Sequence, residues 1–334
     1  MFKPSDASIH FIADEEASAF FDTHQPSSVD WESYRFVNST WAWVVQTALH
    51  LRYCGFRVSM SGSFRPDAIN VGTASTLRKM SRTPDFFRLS LDADQLRVRW
   101  ANLHVVQNKN QCGRRAFWIP HWTQPGLIER AGEWSQALRV AFFGLEKNLT
   151  HDVDWWRRIC GRYEMEFVIK PKSEWHDYSD VDVAIGIRRF GSQRFDDKPP
   201  TKLFNAWMGR VVFVGGSDSA YEQVGHPGVN YFRVCSEQEL DNTLRLLSSR
   251  PDVCREIVAA GTARLNECGA RESTQQRWVD LFLDQVFTTY FEWRESATWK
   301  RKIETAQGVF LDEALVTRNN LWKSLKSRAK RLGG

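Results

Sequence analysis

Short apolar runs recur along the chain and alternate with longer segments in which apolar residues return every third or fourth position. A short run of this kind is long enough for a buried strand, whereas the longer spacing is typical of an amphipathic helix. Strands that alternate with helices favour parallel sheets with right-handed crossovers. The alternation begins near Phe36 and starts again near Leu138. The sequence therefore predicts an α/β protein with two Rossmann-like domains.

The apolar runs set the predicted strands. In the first half they lie at 9–13, 56–60, 68–71, 85–91, 103–107 and 116–119. In the second half they lie at 140–144, 166–170, 181–187, 211–214 and 231–234. Predicted helices cover 40–53, 151–163, 201–208, 237–247 and 252–268, one more starts at 217, and a Trp- and Phe-rich helical region covers 275–305. Apart from its one strand, the polar segment 1–34 predicts irregular structure.

Length and composition fit this organisation. The chain has 334 residues, of which 25% are charged and 42% apolar. It is long enough for two hydrophobic cores and has the composition of a globular protein. The domain boundary is expected near 129–136. We predict an N-terminal domain at 1–134, a C-terminal domain at 135–274, and final helices at 275–334.

The net charge of +5 suits an anionic partner such as a nucleotide diphosphate or an acidic membrane surface. Nucleic acid is not expected, because no basic stripe interleaves with aromatic residues. Basic residues concentrate in a C-terminal tail at 323–331. It contains Lys323, Lys326, Arg328, Lys330 and Arg331. This tail is either a solvated segment or a weak contact with anionic lipid headgroups.

The cysteines and the N-terminus predict a cytoplasmic protein. Six Cys occur without any CxxC or zinc-ligand spacing, which is typical of reduced, buried thiols. The first residues lack the charged start and apolar core of a signal peptide. No apolar run approaches the roughly 18 residues that a membrane span needs. The basic tail remains a candidate peripheral contact at the inner face of the membrane.

Residues 175–224 carry the strongest local signal. An apolar strand ends beside Arg188, and a polar loop leads to Pro199 and Pro200. A helix can begin there, since the first helical turn does not need the N–H that proline lacks. The next strand ends in a Gly-Gly break before another helix. Two helix N-termini beside two parallel strands favour an anion, and Arg188 and Lys202 add positive charge.

This segment resembles the donor-binding half of the GT-B glycosyltransferases, of the bacterial family 1 and family 4 type. The resemblance rests on the helix K-P-P-T-K-L-F-N-A-W, the strand V-V-F-V and the turn G-S-D-S-A-Y-E, in that order from 198 to 222. It continues more weakly through pieces such as I-P-H-W-T-Q-P-G-L-I-E-R at 119–130. It implies the GT-B fold, in which two Rossmann-like domains with parallel sheets face a central cleft. The N-terminal domain would then lie on the acceptor side, the C-terminal domain would bind the donor, and the last helices would pack back on the N-terminal domain.

The resemblance also implies an activity. It indicates a metal-independent glycosyltransferase that uses a nucleotide-diphosphate sugar as co-substrate and no cofactor. The acceptor would be a hydroxyl of a glycan, lipid-linked or protein acceptor, in bacterial glycan or surface polysaccharide synthesis. Many retaining members have two acids around the donor sugar in a fixed spacing. Asp197 and Glu222 do not have that spacing, and Asn205 stands where an acid often lies. A non-catalytic member that binds a nucleotide or a protein partner stays open, and so does a nucleotide-sugar epimerase.

Donor-binding residues follow from the matched positions. Lys202, in the first turn of its helix, would contact the donor phosphates, with Arg188 beside it. Backbone N–H groups at the start of the next helix would bind the same phosphates, as helix N-termini do. These groups belong to Ser219, Ala220 and Tyr221.

Three further residues are assigned to the donor. Glu222 would accept hydrogen bonds from ribose or sugar hydroxyls, or would only stabilise the helix dipole. Trp175 and His176 follow a strand and match the loop that holds the nucleotide base. In that loop backbone groups usually read the base, so both side chains could simply shape it.

Catalytic candidates come from the ends of the N-terminal strands, where ligands bind in open parallel sheets. Asp92 and Asp94 follow one strand, and either could act as general base for the acceptor hydroxyl or cap the next turn. His121 lies in a loop between Pro120 and Pro125. It could act as base, contact the sugar, or be a packed loop histidine.

One acidic pair resembles a metal motif. Asp180-Val181-Asp182 matches the D-x-D pattern that binds a metal in a different glycosyltransferase fold. Here the pair enters a buried strand, and hard cations need several converging oxygen ligands. We therefore expect an anchor for neighbouring loops and no metal site.

Overall fold

The computed structural model describes residues 2–25, 38–132, 134 and 137–332. Within the N-terminal part, six parallel strands form one sheet in the order β2-β1-β3-β4-β5-β6. The strands are β1 Ser8–Ile12, β2 Arg57–Ser61, β3 Ile69–Thr73, β4 Phe87–Ala93, β5 Leu103–Val106 and β6 Ala116–Trp118. The central strands β3, β4 and β5 are buried along almost their whole length. Such continuous burial is expected where helices cover both faces of a parallel sheet.

A second parallel sheet follows, with the strand order β11-β10-β9-β7-β8. Its strands are β7 Arg139–Phe143, β8 Glu166–Lys170, β9 Val183–Gly186, β10 Val212–Gly215 and β11 Phe232–Arg233. The chain order reverses direction beside β7, so the loops after β7 and β9 diverge to opposite sides. Crevices of this kind are where doubly wound sheets bind ligands.

Helices connect and cover the two sheets. They are α1 Glu15–Thr23, α2 Gln46–Tyr53, α3 Ala74–Arg78, α4 Val153–Gly161, α5 Thr201–Met208, α6 Ser219–Val224, α7 Glu237–Ser249, α8 Pro251–Cys268, α9 Arg271–Leu281, α10 Phe287–Glu295 and α11 Thr298–Leu332. Two π-helical segments, Thr40–Val45 and Phe282–Val286, lead into α2 and α10.

The helices after α8 belong to the N-terminal core. Trp278, Phe282 and Phe287 are fully buried in the same hydrophobic cluster as Ile9 and Leu49. Aromatic rings make part of this contact, since the Trp278 ring lies edge-on to Trp43 at 6.3 Å. The chain therefore leaves the second domain and returns to the first.

The two parallel sheets confirm the predicted α/β class. The strand and helix around the donor motif agree closely with the sequence pattern, with α5 at the expected residues. The domain boundary drawn between 134 and 135 stays a prediction, because residues 133, 135 and 136 lie outside the described part of the chain.

The prediction of irregular structure over 1–34 was wrong. The segment 1–34 contains a helix, α1, which begins where the Asp14 side chain accepts the Ala17 N–H at 2.9 Å. Glu15 and Glu16 in its first turn stabilise it further, since acids favour the positive end of the helix dipole. At the other end, helices were expected over 275–334, and α11 continues to Leu332, so the backbone of the basic tail is helical. Its membrane contact stays a prediction, because the side chains of Lys323 and of 326–331 lie outside the described residues.

Among the residues that the structure describes, no helix combines the length and the apolar character needed to cross a membrane.

Candidate functional site in the interdomain cleft

A cleft lies between the carboxyl ends of the two sheets. Side chains from both domains enclose a cavity of about 350 Å³ within it. The N-terminal domain contributes Trp43, Asp94, Gln107, His121 and Gln124, and the C-terminal domain contributes Phe143, Trp175, Tyr178, Arg188, Lys198, Thr201, Lys202 and Asn205. A second cavity of about 210 Å³ adjoins it and shares Phe143, Trp175, Arg188 and Lys202. The two cavities form one candidate site for a ligand that spans both.

Lys202 is held at the junction of these cavities. Its helix, α5, begins at Thr201 after the Pro199-Pro200 pair, so Lys202 lies in the first turn. The ammonium donates to the Phe143 carbonyl at 2.7 Å and lies 4.0 Å from the centre of the Phe142 ring. Burial lowers the pKa of Lys202 to about 7, the nearby Arg188 lowers it too, and Asp218 opposes the shift. A lysine in this state gains a proton readily when an anion approaches.

Glycine makes room for this lysine. A Cβ atom at Gly144, just after β7, would lie 2.8 Å from the Phe142 ring and 3.1 Å from the Lys202 Nζ atom. Both distances are tighter than ordinary van der Waals contact. A side chain at residue 144 would therefore displace the Phe142 ring and crowd the ammonium in its contact with the end of β7.

Arg188 is fixed by a buried carboxylate. It follows β9, and its Nε atom donates to the Asp218 Oδ1 atom at 2.7 Å. Burial works against the charge of Arg188, but Tyr221 and Asp218 outweigh it and hold the pKa of the guanidinium above its ordinary value. Burial also raises the pKa of Asp218, against the effect of Arg188. Arg188 is thus a permanent cation in the cleft, next to a lysine of adjustable charge.

Aromatic side chains form the wall beside the two cations. The rings of Phe143 and Tyr178 stack with their centres 4.0 Å apart and their planes at 14°. Trp175 donates its indole N–H to the Lys170 carbonyl at 3.0 Å, which fixes the ring between both cavities. A flat aromatic wall of this kind suits a base or a sugar ring. His176 does not line either cavity.

His121 lies on the opposite wall, from the N-terminal domain. Its Nδ1 atom donates to the Trp122 carbonyl at 2.7 Å, and its ring lies 5.1 Å from Trp43. A carbonyl can only accept, so Nδ1 carries the proton of the neutral ring and Nε2 keeps a lone pair. Burial lowers the pKa of His121, although the hydrogen bond to Trp122 opposes this. The histidine is therefore neutral at pH 7 and able to accept a proton.

The structure separates the two acids at the end of β4. Asp92 is 1% exposed and accepts hydrogen bonds from Ser90 at 2.7 Å, from His104 at 3.2 Å and from Arg97 at 3.2 Å. It lies behind the cleft and has no access to an acceptor, so the prediction that Asp92 is a catalytic base needs correction. Asp94, the other acid of the pair, is exposed and lines the cleft.

The backbone between the two acids explains their different directions. The pairing of β4 with β5 shifts register between Leu91 and Ala93. Ala93 itself has φ of +49°, a conformation that residues with a side chain rarely adopt. In a regular strand Asp92 and Asp94 would point to the same face. This irregularity sends one carboxylate inward and the other into the cleft.

The predicted contacts at the start of α6 are not available to a ligand. Ser219 donates its N–H to the Arg194 carbonyl at 2.6 Å, and its hydroxyl accepts from Asn108 at 2.9 Å. The Tyr221 N–H donates to the Asp218 carbonyl at 3.1 Å. Neither these residues nor the buried Ala220 line the cavities. The loop 191–198 folds over this helix end, which the strand-and-helix pattern could not show.

Glu222 is also occupied. Its two carboxylate oxygens accept from Arg194 at 2.9 Å and from Arg233 at 2.8 Å, and it lines neither cavity. Of the predicted donor residues, Arg188, Lys202 and Trp175 therefore meet in the cleft, whereas 219–222 and His176 do not. Among the predicted catalytic residues, His121 lies in the cleft and Asp92 does not.

The D-x-D pair serves as an anchor, as expected from its position. Asp180 forms ion pairs with Arg139 and Lys170. Asp182 accepts from Arg130 Nε at 3.0 Å and from the Arg139 N–H at 2.8 Å. Within the described ranges no group of three or more His, Cys, Asp or Glu side chains is placed to hold a metal ion.

Several residues of the site gave little or no sequence signal. Lys198 lies in the K-P-P-T-K segment and pairs with Asp94 at 3.4 Å and Asp197 at 3.2 Å. Asn205 bridges the domains by donating to Gln124 at 2.8 Å. Trp43 lies within the predicted helix 40–53, and the π-helical segment places its ring 5.1 Å from that of His121. Contacts across a cleft depend on the fold and cannot be read from spacing along one chain.

A further cavity of about 920 Å³ continues from the cleft along the N-terminal domain. Asp94 and Lys198 line both spaces, so their ion pair stands at the passage between them. The loop after β4, the loop after β5 and one face of α11 form the other walls. Their side chains include Arg97, Arg99, Asn110, Gln111, Leu315 and Asn319.

Comparison with known proteins shows the fold. No protein-family model matches the chain, and no curated protein sequence matches it. The chain is similar in structure to sucrose-phosphate synthase from Thermosynechococcus elongatus, with a TM-score of 0.52 and 11% identity over 84% of this chain and 99% of that one. It is also similar to TarM from S. aureus, with a TM-score of 0.50 and 8% identity over 66% of this chain. The match spans only 56% of the TarM chain. The protein has the fold of the GT-B glycosyltransferases, which confirms the predicted fold class and the resemblance.

Proposed function

We propose that this protein is a glycosyltransferase that moves a sugar from a nucleotide-diphosphate sugar to a hydroxyl group of an acceptor. The observation that carries the proposal is the pair of cations, Arg188 and Lys202, in two adjoining cavities of a GT-B cleft. Their charge matches that of a diphosphate. The diphosphate gains negative charge as its bond to the sugar breaks, so fixed cations stabilise the transition state more than the bound donor.

Because protein side chains supply these charges, we propose that transfer requires no metal ion. Arg188 is a cation at every relevant pH, and Lys202 becomes one when the donor binds. The acids that resemble a metal motif, Asp180 and Asp182, are already paired with Arg and Lys. In this proposal the nucleotide-diphosphate sugar is a co-substrate, and the aromatic wall of Trp175 and Tyr178 holds its rings.

The acceptor hydroxyl must lose a proton during transfer. His121 has a free nitrogen lone pair and lines the cleft from the acceptor side, so we assign it as the general base. Asp94 is the second candidate, because it also lines the cleft, but it is paired with Lys198. The cavity of about 920 Å³ beyond Asp94 has the size and the polar walls to hold a glycan acceptor, including a lipid-linked one.

The same proposal places the reaction in bacterial glycan or surface polysaccharide synthesis and in the cytoplasm. It is supported by the resemblance of 198–222 to bacterial enzymes of this fold. The glycan or lipid-linked acceptor would then be made at the inner face of the membrane.

A donor panel tests the proposal. The protein is incubated with different nucleotide-diphosphate sugars, and released nucleoside diphosphate is measured with and without acceptor hydroxyls. We expect slow hydrolysis of one donor, acceleration by an acceptor, and no loss of rate when a chelator is added. Calorimetric binding of donors without turnover on any acceptor would indicate a non-catalytic member instead. Release of an epimerised sugar without acceptor would indicate an epimerase.

The choice of base is tested by two near-isosteric variants. His121→Gln is expected to lower kcat by about 100-fold or more while the donor still binds, since general bases contribute at this level. Asp94→Asn is expected to have a smaller effect. The reverse order of the two effects would transfer the role to Asp94.

A further inference from the structure

The last helix, α11, has two different faces, and contacts near its middle fix which face points inward. A Cβ atom at Gly308 would lie 2.6 Å from the Arg99 carbonyl oxygen, so the helix backbone lies directly on the N-terminal domain. One turn later Asp312 is 2% exposed. It pairs with Arg78 at 3.1 Å and accepts the Arg99 N–H at 3.2 Å. The rotation of the helix is therefore set.

The outward face carries large apolar side chains in water. In the described part of the chain eleven large apolar side chains are exposed, and seven of them lie on α11. These seven are Trp299, Ile303, Phe310, Leu311, Leu321, Trp322 and Leu325. Trp299, Phe310 and Leu321 are 66%, 71% and 62% exposed. A concentration of this kind on one helix marks an interaction surface.

The spacing of these residues makes a straight strip. Trp299, Phe310 and Leu321 are eleven residues apart, as are Ile303, Ala314 and Leu325. Eleven residues are about three helical turns, so each row runs along the helix axis and the two rows lie side by side. Phe310 lies about 200° around the helix from the inward Asp312. We call these two rows together the outer strip, which extends over about 39 Å from Trp299 to Leu325.

Charge around the outer strip is strongly positive. Between Thr298 and Leu332 there are nine Lys and Arg but only three acids. All three acids are paired with arginines of the N-terminal domain: Glu304 with Arg115, Asp312 with Arg78, and Glu313 with Arg82. In contrast, Lys300, Lys302 and Arg318 form no ion pair within the described part of the chain, and all three are exposed.

We propose that α11 lies in the headgroup layer of an anionic lipid bilayer, with the outer strip inserted among the acyl chains. An apolar strip flanked by Lys and Arg is the pattern of helices that bind in the plane of such a surface. A second copy of the chain fits less well, because pairing two copies of α11 would bring together two helices that each carry nine Lys and Arg and only three acids. This attachment goes beyond the proposed transfer reaction and uses residues that do not line the two cavities at Arg188 and Lys202.

Co-sedimentation with vesicles tests the attachment, without donor or acceptor present. We expect the full-length protein to pellet with vesicles that contain phosphatidylglycerol and not with pure phosphatidylcholine, and to be released by salt. A triple variant of the outer strip, Trp299→Gln, Phe310→Gln and Leu321→Gln, is expected to lose at least about tenfold in partitioning.

The matched control changes three exposed apolar residues outside α11. It carries Tyr53→Gln, Ile128→Gln and Val229→Gln, whose side chains are 68%, 47% and 56% exposed. This control should pellet like the wild type, and circular dichroism should show that both variants fold. Pelleting of the outer-strip variant at the wild-type level would overturn the proposal, as would failure of the wild type to bind anionic vesicles. Sedimentation velocity adds a further outcome against it: a wild-type dimer that the outer-strip variant abolishes, without lipid binding, would make a second copy the occupant.

Discussion

Asp92 and Asp218 are both buried carboxylates near the carboxyl ends of parallel strands, one in each domain, and they have opposite surroundings. Asp92 receives hydrogen bonds from Ser90, Arg97 and His104. Asp218 receives one from Arg188, and its Oδ2 atom is buried without a hydrogen-bond partner among the described residues. A second cation, Lys202, lies nearby but is bonded to a carbonyl. The cations around Asp92 are therefore bonded within the protein, whereas the cluster of Asp218 and Arg188, with Lys202 nearby, retains positive charge for a ligand.

The comparison shows how the same kinds of residues can stabilise a fold or prepare a site. A carboxylate that satisfies every nearby cation leaves no net charge to attract a substrate. A carboxylate that holds one of two cations positions it without neutralising both. Burial then makes the remaining charge stronger toward an anion, because little water screens it.

Removing the positive charge of Lys202 should have the largest effect on kcat/KM for the donor. Lys202→Met keeps the length of the side chain and removes the charge, so kcat/KM should fall by about 1,000-fold, or about 4 kcal/mol. The thermal midpoint should rise at the same time, since a lysine whose pKa is lowered by burial destabilises the folded state. Steady-state kinetics and thermal unfolding measure the two effects. Lys172→Met, at an exposed position of the same domain, is the control. Wild-type turnover in Lys202→Met would show that Lys202 does not bind the donor diphosphate.

Neutralising each carboxylate in turn should separate the two clusters. Asp92→Asn places an amide against Arg97, so it should lower the free energy of unfolding by about 2 kcal/mol and leave transfer within about twofold. Asp218→Asn should affect stability less, because burial already raises the pKa of Asp218. It should lower kcat/KM by about tenfold or more, because Arg188 is no longer held. Denaturant unfolding and steady-state kinetics measure both effects. A loss of kcat/KM in Asp92→Asn together with a loss of stability in Asp218→Asn would contradict the comparison.

The adjustable charge of Lys202 should make donor binding depend on pH. Burial lowers the pKa of Lys202 to about 7 in the free protein, and binding of the anionic diphosphate should raise it. The protonated form therefore binds best, and affinity is fully present below pH 7 and declines above it. Donor affinity should be about tenfold weaker at pH 8 than at pH 6. Calorimetry of a nucleotide-diphosphate sugar measures this, and Lys202→Arg should flatten the profile. An equally steep profile in Lys202→Arg would assign the titration to another group.

A smaller change should disturb only the placement of Lys202. Gly144→Ala puts a Cβ atom against the Phe142 ring and the ammonium. We expect a loss of about 1 kcal/mol in stability and a few-fold rise in the KM for the donor, from the shift of both side chains. Gly113→Ala meets no atom within 4 Å and serves as the control. Equal behaviour of the two variants would show that the site tolerates movement of the lysine.

Much of the fold could be predicted from the sequence, because parallel strands buried on both faces leave short, nearly continuous apolar runs. Val212 to Gly215 and the helix from Thr201 were found in this way. α1 was missed because only two of its residues, Ala17 and Phe21, are fully buried and its polar character resembles that of a loop. The apolar helical pattern was recognisable only over 275–305, although α11 continues to Leu332, because the outer strip faces water rather than a core.

The candidate site was predicted only where the chain itself fixes the position of a side chain. Arg188 and Lys202 follow directly from a strand end and a first helical turn, so their place in the cleft could be expected. The amide of Ser219 is occupied by the loop 191–198, and the path of that loop has no periodic pattern in the sequence. The separation of Asp92 from Asp94 depends on one backbone dihedral angle, and neighbouring residue types do not reveal it.

That angle, at Ala93, has a consequence for how this protein can change. In a regular strand, two acids placed two positions apart would lie on the same face of the sheet. A substitution of one acid would then also change the surroundings of the other. The positive φ at Ala93 places the two carboxylates in different surroundings, so a substitution of one leaves the surroundings of the other unchanged. Asp94 can be exchanged, lengthened or lost as substrates change, while Asp92 keeps its partners and the sheet keeps its register.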